Sequence, residues 1–239
     1  MENVFVSKVL EYTGPGVVPV LTRLGCRVIG HDRSFGDPAK RAEYGETGNV
    51  HPIAAQSPEE IAAELELIGP VTRFVFNDAH PNAAKNFEEI EVEEFRAAYS
   101  ALPEFPFRLC QLILPGLKRA KSGAIVFITS ARQLQPEPGF AVATSVRAGA
   151  AALALAVARE AAPFGIQVNA IQPNYLYSEM YYPKARFIED PEGREKIARI
   201  VPAGRLGQPE EFCELVAFYI SGRSPFTTGQ VINFTGGWP

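Results

Sequence analysis

Short apolar runs alternate with helical segments along almost the whole chain, and this order constrains the fold more than any single motif. Val4-Phe5-Val6, Arg27-Val28-Ile29-Gly30 and residues 72–76, 124–129, 167–171 and 230–234 read as strands. The run Ala124-Ile125-Val126-Phe127-Ile128-Thr129 lacks polar alternation, as a strand covered on both faces should. Between the strands lie helical patterns at 17–24, 57–67, 92–99, 107–120, 143–162 and 209–220. Ser57-Pro58-Glu59-Glu60 carries a start signal, with Ser57 as cap, Pro58 in the first turn and Glu60 three residues after the cap. Pro103 and Pro106 predict a kink or break ahead of the 107–120 helix. Strands alternating with helices predict an α/β fold, a single Rossmann-like doubly wound parallel sheet spanning residues 1–239 as one domain. Thr13-Gly14-Pro15-Gly16 reads as a turn. In such sheets ligands bind beyond the carboxyl ends of the strands, so the loops there are where chemistry is sought.

Composition excludes several classes. With 46% hydrophobic and 21% charged residues, the chain is neither disordered nor collagen-like. No uninterrupted apolar run of ~18 residues predicts a membrane span. The opening MENVFVSKVL places Glu2 where a secretory leader would be basic. Cys26, Cys110 and Cys213 are far apart and odd in number, which fits reduced thiols of a cytoplasmic protein better than a disulfide framework or a metal site. The net charge of -4 argues against a nucleic-acid partner. His31, His51 and His80 show no metal-ligand spacing, so no metal is expected and none of them receives a catalytic role.

Several landmarks resemble the short-chain dehydrogenase/reductase superfamily. They are the strand ending in Thr129-Ser130, the segment Pro202-Ala203-Gly204-Arg205-Leu206-Gly207-Gln208-Pro209, and Thr228-Gly229-Gln230-Val231-Ile232 followed by Gly236-Gly237. The departure is at the loop after the first strand. A dinucleotide site needs glycines there so that the backbone can approach the pyrophosphate. The superfamily pattern is TGxxxGxG, and the matching stretch is Ser7-Lys8-Val9-Leu10-Glu11-Tyr12-Thr13-Gly14. Lys8 and Tyr12 stand at two of the three glycine positions, so no cofactor is expected. Gly14 and Gly16 are then left to shape a turn, and Asp32 is structural.

That departure resembles the halohydrin dehalogenases, members of the superfamily in which the nucleotide site has become a halide pocket. His31-Asp32-Arg33-Ser34-Phe35, Asn77-Asp78, Phe127-Ile128-Thr129-Ser130, the stretch from Thr144 to Ala150 and Pro173-Asn174-Tyr175-Leu176 all fit. The resemblance implies conversion of vicinal haloalcohols to epoxides plus halide, and reverse opening of epoxides by small anions. It also implies a Ser–Tyr–Arg set. Ser130 and Arg147 match, but the tyrosine position is Ala143. Three explanations stand open: an engineered truncation, a natural homologue with altered activity, or a base that has moved to Tyr12, Tyr175, Tyr177, Tyr181 or Tyr182. The implied pocket comprises Tyr12, Pro173, Asn174, Tyr175, Leu176 and Tyr182, with backbone N–H groups suited to an anion. A homotetramer or homodimer packed through the alanine-rich helix is likewise implied, with Trp238 a candidate to enter a neighbouring subunit's pocket. A non-catalytic small-molecule or anion binder is the alternative; an NAD(P)-dependent oxidoreductase is opposed by Lys8 and Tyr12.

Overall fold

The computed structural model of the protein describes residues 2–45, 50–81 and 83–239. Seven strands form one parallel sheet: β1 (Asn3–Val6), β2 (Arg27–Gly30), β3 (Val50–Pro52), β4 (Val71–Phe76), β5 (Gly123–Ile128), β6 (Ile166–Pro173) and β7 (Val231–Phe234). The spatial order is β3-β2-β1-β4-β5-β6-β7. The strand order reverses at β1, where the chain crosses from one half of the sheet to the other, and a crevice opens above the strand ends there.

Alternate residues of the strands divide the core chemically. Val4, Val6, Val28, Val75, Val126 and Ile128 face the layer of α1 (Gly14–Arg23) and α8 (Pro209–Ile220). Phe5, Ile29, Phe74, Phe76, Ile125 and Phe127 face the layer of α3 (Pro58–Ile68), α5 (Phe105–Ala120) and α6 (Ala141–Ala161). Both faces are buried, which is why β5 carries no polar alternation. At α3 the expected box is complete: Ser57 Oγ accepts from the Glu60 amide and Glu60 Oε2 accepts from the Ser57 amide.

Three elements escaped the sequence reading: β3, α2 (Pro38–Gly45) and α7 (Pro191–Ile200). β3 is three residues long, and α2 buries no side chain, so neither leaves a periodic apolar signal. Two expectations are corrected. Residues 13–16 are not a free turn, because α1 begins at Gly14, with Pro15 in a first-turn position that needs no N–H. Of the kink or break expected at Pro103, the break is absent: a widened π-turn over Ser100–Glu104, with Pro103 inside it, joins α4 (Val92–Tyr99) to α5.

The segment Ala141–Phe164 is long and apolar enough to cross a membrane by length and composition, contrary to the sequence expectation. In the fold it is a core helix, burying Val146, Arg147, Ala150, Ala151, Ala154 and Ala158.

Candidate active site

The ends of β4, β5 and β6 meet the start of α6 and the β1–α1 loop around one cavity of about 80 Å³. Ser130, Ala143, Arg147, Tyr12, Pro173, Asn174, Tyr175, Leu176 and Tyr182 all line it, as does Tyr181, whereas Tyr177, the remaining candidate base, does not.

Arg147 organises the centre. It is buried on α6, one helical turn after Ala143. Nη1 donates to the backbone oxygens of Asp78, Ile128 and Thr129 at 3.1, 3.2 and 3.3 Å. These carbonyls belong to the segments leaving β4 and β5, so the sheet itself fixes the guanidinium. Nη2 donates to the Tyr181 hydroxyl oxygen at 3.4 Å, and the guanidinium carbon lies 5.9 Å from the centre of the Tyr12 ring. Ser130 plays the capping role open to it, accepting from the Arg132 amide at 3.2 Å. Its own hydroxyl proton finds no acceptor among the described residues, so it remains a donor facing the cavity.

The β1–α1 loop shows what became of a nucleotide cradle. Lys8 and Tyr12 have φ of 47° and 50°, the left-handed region that glycine occupies without strain. The glycine-type backbone is therefore retained while side chains fill the space. Lys8 Nζ donates to the Ala79 backbone oxygen and pairs with Glu11 at 3.5 Å. The Tyr12 ring stands edge-on to Tyr181, 5.2 Å between centres. Asn77, fully buried past β4, clamps the loop by donating from Nδ2 to the oxygens of Lys8 and Glu11 at 3.0 and 2.9 Å. The amides at the start of α1 are consumed locally: Gly14 N–H by Glu11 O at 2.9 Å, Gly16 N–H by Thr13 O at 3.0 Å. A Cβ on Gly14 would lie 2.5 Å from Val9 O, so this glycine serves chain packing, not ligand approach. The nicotinamide dinucleotide that this fold commonly carries does not fit such a loop. Titration with NADH or NADPH should accordingly give no saturable binding below millimolar concentration; micromolar affinity would overturn this reading of Lys8 and Tyr12.

The segment after β6 is built differently. Asn174 is buried, and its Oδ1 accepts from the Tyr175 amide at 3.0 Å and from the Tyr182 hydroxyl at 3.2 Å. The Tyr175 amide can only donate, so the amide group's orientation is fixed and Nδ2 lies on the opposite side, without a partner among the described residues. Gly207 N donates to Tyr175 O at 2.9 Å and Tyr177 N donates to Gly207 O at 3.0 Å, so the Leu176 amide between them points away from Gly207. Burial pushes the phenols of Tyr12, Tyr175 and Tyr182 above their ordinary value, although Arg147 beside Tyr12 and Arg132 near Tyr175 and Tyr182 oppose the effect.

Sequence reasoning missed four lining residues, His80, Thr129, Arg132 and Phe140, whereas Tyr181, one of the five tyrosines named as candidate bases, does line the cavity. Arg132 stacks on the Phe140 ring at 4.2 Å and Phe140 precedes α6; neither spacing nor composition marks such a pair. Trp238 is corrected as well. It is buried within its own chain, 5.4 Å from the Tyr175 ring.

A family model described as Enoyl-(Acyl carrier protein) reductase matches residues 17–239. The chain belongs to that family, within the short-chain dehydrogenase/reductase superfamily. Among curated superfamily members, the 3-oxoacyl-[acyl-carrier-protein] reductase FabG of Vibrio cholerae is 28% identical over 94% of this chain and 91% of its own length. Among solved superfamily structures, a halohydrin dehalogenase, HheC bound to ethyl (2S)-oxiran-2-ylacetate, is 34% identical with a TM-score of 0.95, covering 100% of this chain and 97% of the other. A protein described as a dehalogenation enzyme is 31% identical with a TM-score of 0.93, covering 100% and 98%. Within the superfamily the chain therefore matches the halohydrin dehalogenases closely.

Proposed function

We propose that the protein is a halohydrin dehalogenase-type member that acts without a nucleotide, converting vicinal haloalcohols to epoxides plus halide and opening epoxides with small anions, slowly because Ala143 stands where the family has its tyrosine. The observation that carries this is Asn174 Nδ2, without a partner among the described residues and buried in the wall of a cavity that Arg147 and Ser130 also line. A buried donor without a partner costs roughly 1–3 kcal/mol, which an anion seated there would offset. Ser130 would donate to the substrate oxygen, and Arg147 would favour its alkoxide form. The leaving halide would sit against Asn174 Nδ2 and the Leu176 amide, with Tyr12 excluding the nucleotide.

Bromide binding tests this without turnover. Trp238 is the sole tryptophan and touches Tyr175, so its emission should respond to bromide. Crystals soaked in bromide should show anomalous density against Asn174 and Leu176. Asn174→Asp keeps the Oδ1 acceptor but replaces the donor with a like charge. A hydrogen bond to an ion is worth about 1.5–3 kcal/mol, so bromide affinity should fall between about 10- and 100-fold or further. Bromide absent from this segment would remove the basis for the assignment.

Ala143 also favours a second reading, an anion-binding protein without turnover. That reading expects bromide binding with no halide release, even from Ala143→Tyr. For assembly, we propose a homotetramer or homodimer in which a second copy covers the exposed Phe107, Leu112 and Leu155 on α5 and α6. Light scattering that gives a monomer mass would exclude it.

A further inference from the structure

We propose that Tyr181 supplies the base that Ala143 lacks, its phenolate taking the proton of the substrate hydroxyl beside Arg147. This rests on the dehalogenase reading above. The hydroxyl of Tyr181 is within 3.4 Å of Arg147 Nη2, and Tyr181 lines the same cavity as Ser130 and Ala143. Arg147 cannot turn to serve another tyrosine, because three backbone carbonyls hold its Nη1. The guanidinium therefore has the Ala143 methyl one turn before it on α6 and the Tyr181 phenol on the facing loop.

The loop holds that phenol in place. The Tyr181 amide donates to Ser178 Oγ at 3.2 Å, the Tyr182 amide donates to Ser178 O at 2.8 Å, and the Tyr181 ring rests edge-on against Tyr12 at 5.2 Å. The other candidate tyrosines are committed elsewhere. The Tyr182 hydroxyl donates to Asn174 Oδ1, and the Tyr177 hydroxyl donates to Glu179 at 2.6 Å. The Tyr175 ring packs between Tyr182 and Trp238, and Tyr12 meets Arg147 with its ring face. Tyr181 is the tyrosine whose oxygen meets the guanidinium.

The step balances without a co-reactant. The phenol first loses its proton to solvent. The substrate O–H bond then breaks and its proton passes to the Tyr181 oxygen. The alkoxide electron pair forms the new C–O bond while the carbon–halogen bond breaks, and the halide leaves with the bonding pair. The phenol is thereby restored, and the balance is epoxide, halide and the one proton given to solvent at the start.

The test measures bromide release from bromoethanol by the unaltered protein, Tyr181→Phe, Ala143→Tyr and the double variant, with bromide quenching of Trp238 recorded for each. Phenylalanine keeps the ring against Tyr12 and removes only the hydroxyl. The expected result is slow release by the unaltered protein, loss of about 10²-fold in Tyr181→Phe with bromide quenching unchanged, and recovery in the double variant. Release by Tyr181→Phe equal to that of the unaltered protein overturns the role of Tyr181. So does an unaltered protein without turnover beside an active Ala143→Tyr; in both cases the dehalogenase reading stands. If no member of the set releases bromide, the dehalogenase reading falls and the role of Tyr181 falls with it.

Discussion

Ala143→Tyr is expected to raise kcat/KM for halide release from a bromoalcohol by about 10²-fold. Position 143 lies on α6 four residues before Arg147, so the two side chains share one helix face. It also borders the cavity, so an added ring enters open space beside Ser130 instead of the packed core. A general base in place contributes ~10²–10⁴-fold. Tyr181, held at 3.4 Å from the guanidinium by a loop and not by the helix, supplies the lower part of that range. The remainder is what a phenol on the rigid helix should add. Initial rates of bromide release, with protein unfolding followed alongside, check it. An unchanged kcat/KM in a folded variant that still binds bromide would mean that position 143 is not where this chemistry wants its base, and halide release by neither protein would favour the anion-binding reading.

The fold was legible because its information is local and repeated. The strand β5 announces itself by apolar residues on both faces, and Ser57, Pro58 and Glu60 mark a helix start within four residues. The core-facing parts of the site were legible for a similar reason, since Ser130 and Pro173-Asn174-Tyr175-Leu176 end strands whose position is set by the sheet. What the sequence hid was orientation. Nothing in the spacing says that Arg147 turns inward to three carbonyls, that Lys8 and Tyr12 keep a left-handed backbone, or that Asn174 leaves one donor unmatched. Tyr181 belonged to a group of five equivalent tyrosines until its oxygen was placed against Arg147. Long-range contacts of this kind, between residues 34 apart in the case of Arg147 and Tyr181, have no periodic signature.

Two buried groups beside the site give the second large expectation, on stability against pH. His31 stacks on Phe105 at 5.6 Å with neither ring nitrogen hydrogen-bonded among the described residues, and burial lowers its pKa to about 4 from 6.5. Asp78 is buried past β4, and burial raises its pKa to about 7 from 3.8, with Lys8, Ser7, Arg147 and Arg33 opposing. Between about pH 4 and 6.5 the folded protein thus carries a proton on Asp78 and none on His31, whereas the unfolded chain does the reverse. The proton counts match, so these two groups together give no slope of stability with pH in that window. Removing either one exposes the other. In His31→Phe, Asp78 acts alone: its raised folded pKa means stability is full below the unfolded value and falls as pH rises, by about 1.4 kcal/mol per pH unit. In Asp78→Asn, His31 acts alone: its lowered folded pKa means stability is full above pH 6.5 and falls by the same slope as pH drops toward 4. Urea unfolding at several pH values between these limits, each variant taken relative to the unaltered protein so that the remaining carboxylates cancel, should give slopes of opposite sign. Parallel slopes would show that His31 and Asp78 titrate in the folded protein as they do in the open chain, and that the polar floor beneath Lys8 and Arg147 is wetter than its packing implies.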